Sequence, residues 1–436
     1  MDLPAVVQQP PMMKQLHDAA PGDDAGLLGQ RIMAHARVLS AHTETAGMMT
    51  RTYLTAAHHG AAAQLSAWMQ EAGMQVRRDA AGNVIGRYEG NVAGAPALIT
   101  GSHFDTVRNG GIYDGNLGVL LPIASIAQWH AQGKRFDHAI EVIGFAEEEG
   151  VRFKATLLGS RAVAGTFDQR VLENQDAAGI SMRAAIDGAG LGFSSTDIPA
   201  AAYRPEQVLG FVEVHIEQGP VLLDAGLALG VVTAISGASR FLIEISGVAG
   251  HAGTVPMALR QDAAMAAAEI GLYIERRCSG SAGLVGTVGQ FDIPDGAANV
   301  VPGRARFSID IRASDDAVRA AAVDDVLQAI TGIAARRRVQ AAIRKTHEAP
   351  GVPCAAWLQQ RWEQAVRRCG FPLYHLPSGA GHDAMAMAAI TDVAMLFVRC
   401  GNGGISHNPL ETMSAQDAAA AAQVFSALVE HFEVSA

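Results

Sequence analysis

Two short apolar runs, PALITGSH at residues 96–103 and HAIEVIGFA at residues 138–146, each break off directly into polar residues. The first runs into His103 and Asp105, the second into Glu147, Glu148 and Glu149. Runs this short alternate with stretches of helical spacing such as Leu65, Trp68 and Met69, and so read as buried strands of an α/β sheet. In open parallel sheets ligands collect at the carboxyl ends of the strands, which is where these polar residues stand. The stretch that follows the first run, GSHFDTVRNGGIYDGNLGV (101–119), allows three readings: a polar tight turn, a glycine loop around a phosphate, or a metal site.

Residues 240–346 follow a different order. Phe241, Ile243 and Ile245 alternate as in a half-buried strand, a helix follows, and then come GLVGTVGQF and RARFSIDIR as strands, a second helix and the strand RVQAAIRKT. This βαββαβ succession predicts a ferredoxin-like α+β domain inserted into the first. In its second helix Ser314 is the expected N-cap, Asp315 and Asp316 fall in the first turn, and Val323, Val326, Leu327 and Ile330 share one face. The α/β alternation then resumes. A last helix is expected from Ser414, with Asp417 as capping partner and Val424, Phe425, Leu428 and Phe432 turned inward. The expected division is a flexible arm over residues 1–24, a catalytic domain from 25–235 and 347–436, and an insert over 236–346.

With 436 residues and 49% hydrophobic content the chain can bury a sizeable core, and its net charge of -10 disfavours nucleic acid and anionic membrane as partners. No stretch nears the roughly 20 apolar residues of a membrane span. The opening MDLPAVVQQPPMMKQLHDAAPGDD lacks the basic-then-apolar order of a secretory signal. Cys278, Cys354, Cys369 and Cys400 form no C-x-x-C pair. A soluble, cytoplasmic protein is expected.

Divalent metals take carboxylate oxygen and imidazole nitrogen, and a hydrolytic site with two of them needs one carboxylate able to bridge both. The chain offers such donors at four places: His103 with Asp114, Glu148 with Glu149, His215 in VEVHIEQGP, and His407 in GISHNP. Singly, a strand-end histidine is more often structural than a ligand. Together the four favour the metal reading. Arg312 taken alone is a surface strand arginine, and His382 reads equally well as a structural loop residue.

GSHFDTVRNGGIYDGNLGV, EEEGVRF, VHIEQGP, GHAGTVPM, NVVPGRARFSIDIR, LPSGAGHDA and GISHNP occur in this order. So ordered, they resemble the successive signatures of the family of allantoate amidohydrolases, N-carbamoyl-L-amino acid amidohydrolases and β-ureidopropionases, within the superfamily of two-metal aminoacylases and metallocarboxypeptidases. The resemblance covers nearly the whole chain beyond the arm. It implies that fold, a mixed sheet flanked by helices with an inserted dimerisation and lid domain.

The resemblance implies two divalent ions per subunit, zinc or manganese. His103, Asp114 and His215 would hold one, and Asp114 would bridge to a second held by Glu149 and His407. Glu148 would be the general base, Asp105 would fix the ring of His103, and Glu147 would face away. Gly110, Gly111 and Gly115 would let the chain turn tightly enough for His103 and Asp114 to converge. Gln218, Asn299, Arg312, Gly381 and His382 would contact substrate, with Arg312 gripping a carboxylate. His251 would stabilise the oxyanion, reaching across a homodimer interface.

The implied reaction is hydrolysis of the terminal ureido group of a small ureido acid, with release of ammonia and carbon dioxide. Allantoate is the expected substrate. GHAGTVPMALRQDA resembles most the allantoate-degrading members, and the small residues of SGAGHDA leave room for a second ureido arm. N-carbamoyl-L-amino acids, N-carbamoyl-β-alanine and ureidoglycolate are the alternatives within the branch, and a metallopeptidase or aminoacylase would use the same ligands. A protein that kept metals without chemistry would be expected to lose the base, and Glu148 is present.

Overall fold

Gln75–Arg78 (β1) and Val84–Tyr88 (β2) form an antiparallel pair, and both apolar runs of the sequence follow as fully buried strands, Ala97–His103 (β3) and Ala139–Phe145 (β4). The computed structural model describes residues 24–433, so the arm expected over 1–24 lies outside the described residues save Asp24, which opens the first helix. Val208–Ile216 (β5) and Leu229–Ile235 (β6) continue the sheet.

The described chain divides into two compact units. The first comprises residues up to Thr233, Cys354–Leu376 and everything from His382 onward. The second comprises Ala234–Pro353 with Pro377–Gly381.

In the second unit Gly237–Ser246 (β7), Leu284–Thr287 (β9), Phe291–Asp292 (β10), Arg304–Ala313 (β12) and Gln340–Ala349 (β13) make one antiparallel sheet in the order β10-β12-β7-β13, with β9 also on β12. A separate ladder pairs Gly250–His251 (β8) with Val300–Val301 (β11). Ala263–Ser279 (α4) and Asp316–Arg337 (α5) cover the face formed by Phe241, Ile243, Ile245, Phe307, Ile309 and Ile311. This is the expected βαββαβ order, with two differences. The run GLVGTVGQF is two strands, because the Ser308 hydroxyl takes the Gln290 N–H at 3.0 Å where a ladder bond would be. The N-cap of α5 is Asp315 instead of Ser314: its carboxylate accepts from both Ala317 and Val318 and adds a negative charge at the positive end of the helix.

In the first unit the sheet runs β1-β2-β4-β3-β5-β14-β6, where β14 is Val393–Val398. Strands β4, β3, β5 and β14 are parallel to one another, and β2 and β6 run antiparallel at the flanks. Register brings His103 opposite Phe145 and Val398 opposite Ile216, so the carboxyl ends of these strands lie level. Asn116–Ala131 (α3) packs on β3 and β5 and is itself covered by Asp24–Ser40 (α1) and Ala415–Glu430 (α6), which is why it is apolar on nearly every side. Helix α6 begins as expected, with the Ser414 hydroxyl accepting from the Asp417 N–H. No helix among the described residues is long and apolar enough to cross a membrane, and all four cysteines are free.

Candidate metal centre

The level strand ends set His103 at the end of β3, Glu147 to Glu149 just past β4, and His215 near the end of β5. Asp114 arrives on the turn before α3. Of the three glycines in that turn only Gly115 is left-handed, with φ of 65°, and a Cβ there would fall 2.5 Å from the His103 ring. Gly111 has a different reason from the one expected, since a Cβ on it would strike the Glu411 carboxyl at 2.0 Å.

Asp114 is the hub. Its Oδ1 lies 3.6 Å from His103 Nε2 and 3.4 Å from His215 Nε2, and its Oδ2 lies 3.2 Å from His407 Nε2 and accepts from Gln218 Nε2 at 3.0 Å. Glu149 Oε1 stands 3.7 Å from the same His407 nitrogen. Gln218 and His407 both hold left-handed backbone, φ 58° and 54°, which non-glycine residues adopt mainly where surrounding structure enforces it.

The ring orientations are set from behind. His215 Nδ1 lies 2.8 Å from the Ile216 carbonyl, which leaves its one lone pair on Nε2, and that nitrogen stands 3.2 Å from the Gly115 N–H and 3.4 Å from Asp114 Oδ1. His103 Nδ1 lies 3.1 Å from the Asp105 carbonyl and 3.4 Å from Asp105 Oδ1, and the Asp105 carboxylate also accepts the backbone N–H groups of Glu148 and Glu149 at 3.0 and 3.2 Å. One carboxylate thus ties the end of β3 to the turn after β4.

Asp114 Oδ1 and Glu149 Oε1 are buried and have no hydrogen-bond donor among the described residues. Such an orphaned acceptor costs about 1–3 kcal/mol, so the arrangement is incomplete without a cation. His103, Asp114 and His215 form one group of donors within 4.8 Å of one another, and Asp114, Glu149 and His407 form another. His103, Glu148 and Glu149 form a third, which puts Glu148 beside both. The oxygen and nitrogen donors fit divalent cations. A further group, Glu213 with His215 and His382, differs: both Glu213 oxygens accept hydrogen bonds, from Ser102 Oγ at 2.7 Å and Ala384 N–H at 3.1 Å, so nothing there is orphaned.

Charge follows from burial. Burial pushes the Asp114 carboxyl up, but His103 and His407 outweigh it and hold it well below the usual carboxylate range. Burial, then Asp114, raises Glu149 to about 7. Glu148 is pushed well above the usual range by burial, with His103 opposing and Glu149 adding to the push. A carboxyl so raised holds a proton more readily than an exposed one, which suits a group that must accept a proton and return it. Burial lowers His215 to about 4, which keeps it neutral and available as a ligand.

Nine of the singled-out residues, His103, Asp105, Asp114, Glu148, Glu149, His215, Gln218, His382 and His407, belong to the first unit. His382 is 1% exposed and packs edge-on to the His215 ring, 4.5 Å between centroids, which is a backing position. Glu147 is fully buried, and burial and then Asp105 push its carboxyl well up. His251, Asn299, Arg312 and Gly381 belong to the second unit. There the Ala252 N–H donates to the Asn299 carbonyl, so His251 and Asn299 are neighbours on the β8–β11 ladder, while Arg312 lies on the uncovered sheet face.

Two residues went unread in the sequence. Buried Glu411 accepts from the Tyr113 and Asp114 N–H groups through Oε1 and from Ser406 Oγ through Oε2. Its position four residues after His407 was its one signal. Fully buried Arg51 donates to the Phe104 and Leu39 carbonyls and to Asn116 Oδ1, bracing the segment between His103 and Asp105 against α3. Burial lowers its guanidinium to about 9, with Asp105 opposing, so it stays charged. No periodicity announces it.

Residues 99–431 match the family described as Peptidase family M20/M25/M40. A protein of Oryza sativa subsp. japonica named Probable allantoate deiminase is 41% identical over 406 residues, covering 86% of this chain and 82% of that one. The N-carbamoyl-L-amino acid amidohydrolase of Geobacillus stearothermophilus is 41% identical over 401 residues, covering 91% of this chain and 96% of its own. Among solved structures, an amidase of the hydantoinase/carbamoylase family from Burkholderia multivorans aligns with a TM-score of 0.86 at 32% identity, covering 92% of this chain and 97% of the other.

Proposed function

The chain belongs to peptidase family M20/M25/M40 and is a hydrolase of carbon–nitrogen bonds, and from that premise we propose that it removes the terminal ureido group of allantoate. One observation carries the reading: Glu148, its carboxyl held well above the usual range by burial, adjoins two donor groups that share Asp114 and contain orphaned carboxylate oxygens. His103, Asp114 and His215 would hold one divalent cation, and Asp114, Glu149 and His407 a second, zinc or manganese. Bound there, such ions supply Lewis-acid polarisation and a more acidic water.

The chain's own residues supply the rest. Glu148 takes a proton from the water that adds to the ureido carbon and returns it to the departing terminal nitrogen, which leaves as ammonia. The carbamate left behind loses carbon dioxide. Asp105 keeps the His103 ring in one tautomer throughout. Arg312 takes the substrate carboxylate, His251 donates to the developing oxyanion, and Asn299 with Gly381 lines the substrate. Gln218 spends its amide nitrogen on Asp114, and its buried Oε1 has no donor among the described residues, so it can accept from a ureido N–H.

The second unit would make a homodimer, since its helices cover one sheet face and β13 is an exposed edge. Sedimentation should report two chains per particle. A reducing compartment, the cytosol, suits the four free cysteines.

An N-carbamoyl-L-amino acid is the second reading, favoured by a relative of equal identity. Allantoate has a second ureido arm that Gln218 and Asn299 would bond, and losing one such contact is worth about tenfold in kcat/KM. Ammonia release with manganese or zinc restored, allantoate beside N-carbamoyl-L-alanine, tests it. Faster turnover of the carbamoyl amino acid would move the enzyme to the second reading.

A further inference from the structure

The uncovered face of the second unit's sheet holds a cavity of about 470 Å³ whose lining includes Arg240, Thr287, Ser308, Asp310, Arg312 and Gly379. It exists because strands alternate. Phe307, Ile309 and Ile311 point to the helices, so Ser308, Asp310 and Arg312 of β12 face the other way, and Arg240 of β7 is the direct cross-strand partner of Asp310. The Asp310 carboxylate sits between two guanidinium groups. It accepts side-on from Arg312, Nε at 3.1 Å and Nη2 at 2.9 Å, and from Arg240 Nε at 3.0 Å. Arg312 Nη1 donates to the Gly379 carbonyl at 2.8 Å.

A guanidinium carries five N–H donors. On Arg312 three are used, one on each nitrogen, so the two that remain belong to Nη1 and Nη2. Among the described residues Arg240 gives only Nε, to Asp310. The cavity therefore keeps donors for an incoming carboxylate without breaking either ion pair. Its charge is also defined. Two guanidinium charges against one carboxylate leave a single positive charge, and His347, opposite Arg240 on β13, adds none, because burial and then Arg240 lower its proton affinity.

We propose that Asp310 is a specificity-determining residue: by offsetting one of the paired arginines it matches the cavity to an acid carrying one carboxylate and discriminates against doubly charged acids. This rests on the reading that Arg312 takes the substrate carboxylate. With Asp310 neutral the cavity would hold two uncompensated cations and favour a dianion. With Arg240 neutral it would hold none, and both acids would bind poorly, the dianion more so.

The test measures kcat/KM of the metal-restored enzyme for N-carbamoyl-L-alanine, one carboxylate, and N-carbamoyl-L-aspartate, two, at neutral pH and low salt. Asp310→Asn should raise the ratio of the second to the first by about tenfold or more, since one unit charge at ion-pair distance near a protein surface is worth at least that. Arg240→Gln, at a side chain 44% exposed and so safe for folding, should lower the same ratio. The two variants must move it in opposite directions. A ratio within about twofold of wild type in both would overturn the proposal, and so would a shift of the same sign in both. If Asp310→Asn is inactive, the Arg240→Gln ratio decides alone. A wild-type enzyme that hydrolyses no ureido acid would overturn the functional reading as well, whereas an active enzyme indifferent to charge at 240 and 310 would overturn this inference only.

Discussion

The two units use polar residues under opposite conditions. In the first, His103, Asp114 and His215 are 3%, 3% and 1% exposed; a ring nitrogen of each histidine lies against a backbone carbonyl, and Asp114 Oδ2 accepts from Gln218 Nε2. In the second, the Arg312 and Asp310 side chains are 28% and 26% exposed, and His251 and Asn299 are open to solvent. A buried polar group that loses its partner costs about 1–3 kcal/mol, whereas an exposed ion pair contributes about 0–1 kcal/mol, so the first set is rigid and the second adjustable. On the proposed reading, the chemistry that needs fixed geometry falls to the strand ends of the first unit. On the same reading, recognition falls to the more exposed side chains of the second. Asp114→Ala should break the comparison most completely, because it removes the donor common to both groups: turnover should vanish and metal content should fall. Two tightly bound ions per chain in that variant would show that Asp114 bridges nothing.

Glu148→Gln should cost at least about 10² in turnover with metal still bound, as expected for loss of a general base. Metal analysis separates it from Glu149→Gln, which should lose metal. An active Glu148→Gln enzyme would hand the proton step to another group. In the second unit Arg312→Gln should act on the other parameter, raising KM by about 30-fold while leaving kcat nearly intact, the signature of a lost carboxylate contact made alike in ground and transition states. A fall in kcat alone would place Arg312 with the rigid set and blur the distinction between units.

What could be read in the sequence divides along the same line. His103 and the Glu148–Glu149 pair were legible because each ends an apolar run, and a buried parallel strand is the one short element that is apolar throughout. The sheet of the second unit was legible from alternation, down to Phe307, Ile309 and Ile311 facing inward. Register was not legible: nothing in the two strands says that His103 stands level with Phe145, and it is that pairing that brings Asp105 under the backbone of Glu148. Contacts made at long separation were equally hidden. Glu411 reaches Tyr113 and Asp114 across nearly 300 positions, and Arg51 meets Asn116 across 65. The cap at Asp315 was missed by one residue because Ser and Asp are both good N-caps and stood side by side.

Glu411 gives the smallest of these effects and the finest test of rigidity within the first unit. Its two oxygens hold two loops at once: Oε1 takes the Tyr113 and Asp114 N–H groups at 2.9 and 3.2 Å, and Oε2 takes the Ser406 hydroxyl at 2.8 Å, next to His407. The two donor groups depend on it unequally. His103 and His215 are fixed on strands, but His407 lies on a loop in left-handed backbone with its side chain 52% exposed, so Glu411 is what sets its loop against Asp114. Glu411→Gln leaves one oxygen where two are needed, and either the paired N–H groups or Ser406 then face an amide nitrogen. Affinity of the Asp114–Glu149–His407 group for manganese or zinc should fall about tenfold, the low end for residues that orient ligands, with the His103–Asp114–His215 group unchanged. Calorimetric titration of the metal-free protein resolves the two groups without reference to turnover. Gly111→Ala should weaken the same group by another route, since its Cβ would push the Glu411 carboxyl aside. Equal weakening of both groups would mean that the loop of His407 is no looser than the strands, and the contrast between fixed and adjustable residues would then lie between the units alone.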